Sequence, residues 1–209
     1  MIDTIRCLGQ AGVKIPSSNA LIYIDPIQIE EVEKADIICL THDHDDHCSI
    51  DDLQKIIKDE TIIVASAKCK DKIASAVSAE IRGVAPGDTV DVKGVVIKAV
   101  YAYNIVKTNF HPKDAGNVGF VITVDGTTIY HAGDTERIPE MKDITCDIML
   151  LPLGQTYTMN SVEEAAEAAR DVGPKKVIPI HYGLYEGSAD DADTLKELLA
   201  GQIEVVLKL

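Results

Sequence analysis

Paired cysteines, long apolar runs and positive charge are what this 209-residue chain has least of. Its five cysteines, Cys7, Cys39, Cys48, Cys69 and Cys146, form no CxxC pair, which argues against a structural zinc site built on thiolates. Odd in number and mostly inside apolar runs, they read as reduced, buried thiols. Cys48, beside His47, is a candidate for a group supporting the histidines, with packing the favoured reading. No run approaches the roughly 18 apolar residues of a membrane span, and Met1-Ile-Asp-Thr-Ile-Arg6 lacks the charged-then-apolar order of a secretion signal. The expectation is a cytoplasmic protein with no membrane partner. Basic residues number 20 against 34 acidic ones, for a net charge of −14. That balance repels polyanions and leaves little surface for counterion release, so nucleic acid is not an expected partner. Low-complexity segments and short repeats are absent as well. With 46% apolar residues and several strand patterns, the length fits one domain over residues 1–209, since single cores extend to roughly 250 residues.

Against this background one segment stands out. Thr41-His-Asp-His-Asp-Asp-His47 puts His42, His44, Asp46 and His47 within six residues, directly after the apolar run Ala35-Asp-Ile-Ile-Cys-Leu40. Neutral imidazole and carboxylate suit zinc, and also manganese or iron. In extended chain, side chains alternate with a period of two, so His42 and His44 face the same way and can pinch one ion. Asp46 and His47 follow a turn and diverge from that pair, which suits a second ion nearby.

Clusters of apolar and β-branched residues between turn formers predict strands at Asn19–Asp25, Ala35–Leu40 and Thr61–Ala65. Ser49 with early acids, followed by Ile50, Leu53, Ile56 and Ile57, predicts a capped amphipathic helix just behind the histidines. A meander follows. Thr89–Lys93 and Val95–Tyr101 flank Gly94, and Gly119–Val124 and Thr127–Tyr130 flank the hairpin signal Asp125-Gly126. Cys146–Leu151, Lys176–Ile180 and Ile203–Leu207 read as further strands. Helices are expected from Ser161, with Glu164 three residues on, and over 190–200. Two sheets back to back with helices outside accommodate this order.

The remaining ligand candidates lie where strands end: His111 in the connection from Asn104 to Asn117, Asp134 after the hairpin, and His181 after Lys176–Ile180. Strand ends hold side chains rigidly while leaving them accessible. His131, three residues before Asp134, reads as a hydrogen-bond partner that orients a ligand.

The order THDHDDH, a mid-chain histidine, HAGDT and PIHYG resembles the metallo-β-lactamase superfamily. The likeness spans almost the whole chain, including Gly9-Gln-Ala-Gly-Val-Lys-Ile15, Tyr23-Ile-Asp-Pro26 and Leu150-Leu-Pro-Leu-Gly-Gln-Thr-Tyr-Thr-Met159. Those segments are most similar to zinc-dependent hydrolases near the ascorbate-6-phosphate lactonase group. The resemblance implies an α/β fold, a four-layer αββα sandwich in a single domain, with metal between the sheet edges. It implies His42, His44 and a mid-chain histidine at one metal, Asp46, His47 and His181 at the other, and Asp134 bridging. The cofactors implied are two divalent ions, zinc in the first place, with Mn2+ or Fe2+ as substitutes. In one respect the chain departs from the family: where many members carry an alanine-any-histidine segment, this sequence has Ala102-Tyr-Asn104. Either the loop 105–110 folds back to deliver His111, which is the favoured reading, or Asn104 offers a weaker carbonyl oxygen.

Two ions roughly 3.5–4 Å apart would deprotonate a bridging water near neutral pH, with Asp46 both ligating metal and holding the hydroxide. The expected reaction is hydrolysis of a small, anionic ester, lactone or phosphodiester. Lys107 and Lys113 bracket His111 and are candidates for holding a phosphate or carboxylate, though loop lysines are usually solvated. Tyr157 and Tyr182 are candidates for hydroxyl donors or a wall, though such tyrosines usually pack. Two other readings remain: an iron-dependent oxidoreductase or dioxygenase on the same fold, and a catalytically silent scaffold that keeps metal for stability. An oligomer is compatible with the sequence.

Overall fold

Apolar, β-branched runs bounded by turn residues become thirteen strands in the computed structural model, which describes residues 1–209. The first sheet holds β1 (Arg6–Gly9), β2 (Gly12–Pro16), β3 (Leu21–Ile24), β4 (Ile37–Leu40), β5 (Ile62–Ser66) and β6 (Glu80–Val84), in that spatial order. The second holds β7 (Thr89–Val92), β8 (Val95–Tyr101), β9 (Val118–Val124), β10 (Thr127–His131), β11 (Ile148–Pro152), β12 (Lys176–Ile180) and β13 (Glu204–Val205), again in chain order. Both sheets open antiparallel and finish parallel. The switch falls at β3–β4 in one and at β10–β11 in the other. Helices α1 (Ile50–Ile56) and α2 (Ala67–Ile73) belong to the first half, α3 (Val162–Val172) and α4 (Ala189–Leu198) to the second.

Alternation along each strand builds the layers. On β4, Ile37 and Cys39 enter the core between the sheets, whereas Ile38 and Leu40 pack outward with Leu53 and Ile56 of α1 and Cys69 and Ile73 of α2. On β11, Ile148 and Leu150 enter that same inter-sheet core, while Met149 and Leu151 pack with Ala165, Ala169 and Leu195 of α3 and α4. A strand buried on both faces reads as a continuous apolar run, which is why β4 and β11 are so legible. The result is the expected αββα sandwich.

Local chemistry fixes the ends. Ser49 accepts from the Asp52 amide and Ser161 from the Glu164 amide, caps worth about 1 kcal/mol each. Asp125-Gly126 and Lys93-Gly94 both adopt the left-handed region that a two-residue hairpin turn demands. The elements that pattern did not reveal are the weakly amphipathic ones: β1 and β2, a hairpin with a register shift at Cys7/Gly9; the half-exposed β6; and α2, with only Cys69 and Ile73 buried.

Candidate metal centre

The C-terminal ends of β4, β10 and β12 meet at one rim of the sandwich, and each releases a candidate ligand there. His42 and His44 follow β4, Asp134 follows β10 through Gly133, and His181 follows β12. Gly133 has φ +66, and a Cβ there would lie 2.9 Å from the Val118 carbonyl, so only glycine makes this turn. His111 arrives from the loop after β8. That loop folds back: the Asn104 amide donates to the His111 carbonyl at 2.7 Å, and the Glu136 carboxylate accepts from the amides of Ile105, Val106 and Lys107.

Three groups of ligand atoms, each mutually within 4.8 Å, result: His42 with His44 and His111, Asp46 with His47 and His181, and, on the buried side of both, Asp25 with His42 and His47. Asp134 lies between the first two. Its Oδ2 is 3.3 Å from His111 Nε2, 3.8 Å from His42 Nε2 and 3.1 Å from His181 Nε2, and its Oδ1 is 3.4 Å from His47 Nε2. The donor chemistry fits divalent metal. His42 Nε2, His47 Nε2 and Asp134 Oδ1 are buried and have no hydrogen-bond partner, a costly state for polar atoms unless a cation joins them.

Electrostatics in the protein without metal divide the imidazoles. Burial holds the pKa of His42 well below its usual value and lowers that of His111 to about 4. For His47 and His181 burial acts in the same direction but is outweighed. Asp134 and Asp25 raise His47 well above its usual value, and Asp134 with Glu186 carries His181 up to about 9. Burial tends to raise Asp134, yet His181 and His47 hold it well below the usual carboxylate range.

Three residues that the sequence did not single out support these ligands. Asp25 accepts from the Thr41 amide at 2.8 Å and lies 2.8 Å from His47 Nδ1. Glu186 lies 2.6 Å from His181 Nδ1 and accepts from the amides of Thr156 and Tyr157. Gln10 donates to Asp46 Oδ2 at 3.1 Å, its amide nitrogen is 2.9 Å from His181 Nε2, and its carbonyl accepts from the His181 amide. Gln10, Asp25 and His181 all have positive φ, a backbone state that side chains disfavour and that functional sites concentrate. Asp25 and Gln10 lie in segments that carried the family resemblance, which was their only signal; Glu186 had none.

The other expected residues sort as follows. Buried His131 sits 2.9 Å from the Ala11 carbonyl and accepts from the Gly133 amide, so it shapes the turn into Asp134. Asn104 donates its side-chain amide to the Lys107 and Tyr157 carbonyls, and so braces the loop. Lys107 is likewise a brace, donating to the Gln155 and Met159 carbonyls. Lys113 pairs with Glu140 at 2.7 Å and lies over the rings of Tyr101 and Tyr103. Neither lysine lines the cavity over the candidate ligands, and both are engaged by other partners. Tyr182 packs in the core beneath α3 and α4, whereas Tyr157 does line the cavity. That cavity, about 300 Å³, also exposes His44, Asp46, His111, Asp134 and His181, with Asp45, Phe110 and Tyr185 completing its walls.

Comparison with known proteins finds relatives over almost the whole chain. A family model described as a beta-lactamase superfamily domain matches residues 4–181. A UPF0173 metal-dependent hydrolase of Thermoplasma acidophilum is 36% identical, over 92% of this chain and 86% of its own length. Another from Thermococcus kodakarensis is 34% identical, over 97% and 95%. The crystal structure of a Parabacteroides distasonis protein, 34% identical, superposes with a TM-score of 0.86 over 98% of this chain and 92% of that one.

Proposed function

Since the chain belongs to the beta-lactamase superfamily, among its UPF0173 metal-dependent hydrolases, we propose that it hydrolyses a small ester, lactone or phosphodiester with two divalent ions. His42, His44 and His111 would hold one ion, Asp46, His47 and His181 the other, with Asp134 shared. The observation that carries this reading is Asp134, within 3.8 Å of imidazole nitrogens from both groups. Such ions supply Lewis acidity and make water a nucleophile at neutral pH.

The chain's own groups do the rest. Asp25 and Glu186 each lie at the Nδ1 of one histidine, which leaves Nε2 of His47 and His181 turned toward Asp134. Asp46 is half-buried and lines the cavity, so it alone of the carboxylates around Asp134 reaches both the ligand cluster and solvent. It takes the proton of the attacking water. Gln10 keeps that carboxylate in place through its amide.

Metal analysis after anaerobic purification, combined with a panel of model esters, lactones and bis(p-nitrophenyl) phosphate, tests the proposal. About two equivalents of zinc or manganese with turnover on one bond class supports it. One equivalent of iron with oxygen uptake would sink it in favour of an oxidoreductase. Tight metal without turnover on any bond class would leave a structural role.

A further inference from the structure

Aromatic rings, not cations, line the wall of the cavity over the candidate ligands. Phe110 and Tyr157 stand edge to face, with ring centroids 5.0 Å apart and planes at 90°. Tyr185, 59% exposed, completes the lining, and Leu184 beside it is exposed as well. In a chain with only two phenylalanines and no tryptophan, three aromatics at one small cavity are a local concentration. Ring faces favour flat, apolar groups through area burial and edge-to-face stacking.

Charge points the same way. No lysine or arginine lines the cavity. Lys72, which pairs with the wall residue Asp45 at 2.7 Å, also donates to the Asp43 carbonyl at 2.7 Å and is thereby engaged. Lys107 and Lys113 are committed elsewhere. The acidic residues are Asp45 at the wall and Asp46 and Asp134 below it. An anionic group placed away from the reacting bond would therefore meet carboxylate and ring, with no partner of opposite charge.

Two of the rings, Tyr157 and Phe110, also sit on anchored segments. Glu186 fixes the segment bearing Tyr157 through the amides of Thr156 and Tyr157, and Glu136 fixes the start of the loop bearing Phe110. A wall ordered before ligand arrives loses little on binding.

We infer that Phe110, Tyr157 and Tyr185 form a specificity subsite for a flat, uncharged, aromatic or similarly apolar group carried beyond the scissile bond. This rests on the hydrolase reading for the position of that bond, but its test does not require turnover. Binding of non-hydrolysed amides to the metal-loaded full chain is followed by NMR titration. 3-Phenylpropanamide is expected to bind at least tenfold tighter than butanamide, and its para-sulfonated analogue at least tenfold weaker than the parent. Phe110→Ala and, at an exposed position that spares folding, Tyr185→Ala should each weaken the phenyl ligand by at least threefold while leaving butanamide within twofold. Equal binding of the phenyl and butyl amides, tightest binding of the sulfonate, or no effect in both variants would overturn the inference. Each of those results would leave the hydrolase reading standing, and failure of hydrolysis would leave the binding result intact.

Discussion

Asp134 is surrounded by four imidazoles, and which of them carry protons decides how the site behaves without metal. A histidine raised from 6.5 to about 9, as His181 is by Asp134 and Glu186 against the effect of burial, stabilises the fold fully below pH 6.5. That contribution is lost as pH rises through about 9. His111 runs the other way: burial brings it down to about 4, so stability falls as pH drops from 6.5 toward that value. The protein in chelator should therefore be most resistant to urea near pH 6.5, as midpoints across a pH series will show. Metal binding at pH 7 should also release protons, since His181 must give up its own to become a ligand. A pH-stat titration reads this directly. His111→Ala should remove about one equivalent of bound metal, whereas Asn104→Ala should retain both and lose loop stability instead. Metal analysis separates the two readings of the departure at Asn104. The cluster from His42 to His47 was legible because its ligands are adjacent in sequence. Asp25, Gln10 and Glu186 were not, because a single carboxylate or amide has no local pattern until the fold brings an imidazole within 3 Å of it.

Strand and turn patterns carried most of the architecture, and they succeeded where physics is local. The two-residue hairpin at Asp125-Gly126, the serine caps and the doubly buried strands follow from conformation and burial within a few residues. The loops over the site do not. Lys107 and Lys113 look from sequence like cations around a ligand, yet tertiary partners more than 25 positions away engage both. Segment 154–158 shows how tightly such a loop is fitted. A Cβ on Gly154 would collide with the Glu186 carboxylate, which there holds two amides and His181. Gly154→Ala should destabilise the protein by roughly 1–3 kcal/mol through overpacking, and weaken metal at the His181 side about 10–100-fold through the lost orienting partner. Urea unfolding and competitive metal titration measure the two effects separately.

At the scale of the whole molecule, the proposed ligands are divided between the sheets. His42, His44, Asp46 and His47 follow the first sheet, and His111, Asp134 and His181 belong to the second. Bound ions would thus cross-link two halves that otherwise meet through the aliphatic inter-sheet core. Metal present at 100 times its dissociation constant adds about 2.7 kcal/mol, so chelation should lower the melting temperature by roughly 5–10 °C in a domain of this size. A scan with and without chelator checks it; an unchanged melting curve would mean that the halves do not depend on the ions. The four layers were readable from the order of elements and the family motifs, because alternation along strands dictates which face each residue buries.

The division also sets a timetable for synthesis. The cluster at residues 42–47 leaves the ribosome before its partners, in a half whose inner sheet face has nothing yet to cover it. Its partners at 111, 134 and 181 emerge in turn, the last 134 residues after His47. Chains grow at about 5–20 residues per second, so for many seconds the nascent protein offers an incomplete chelator. Stable metal acquisition becomes a late event, completed only once His181 has been made.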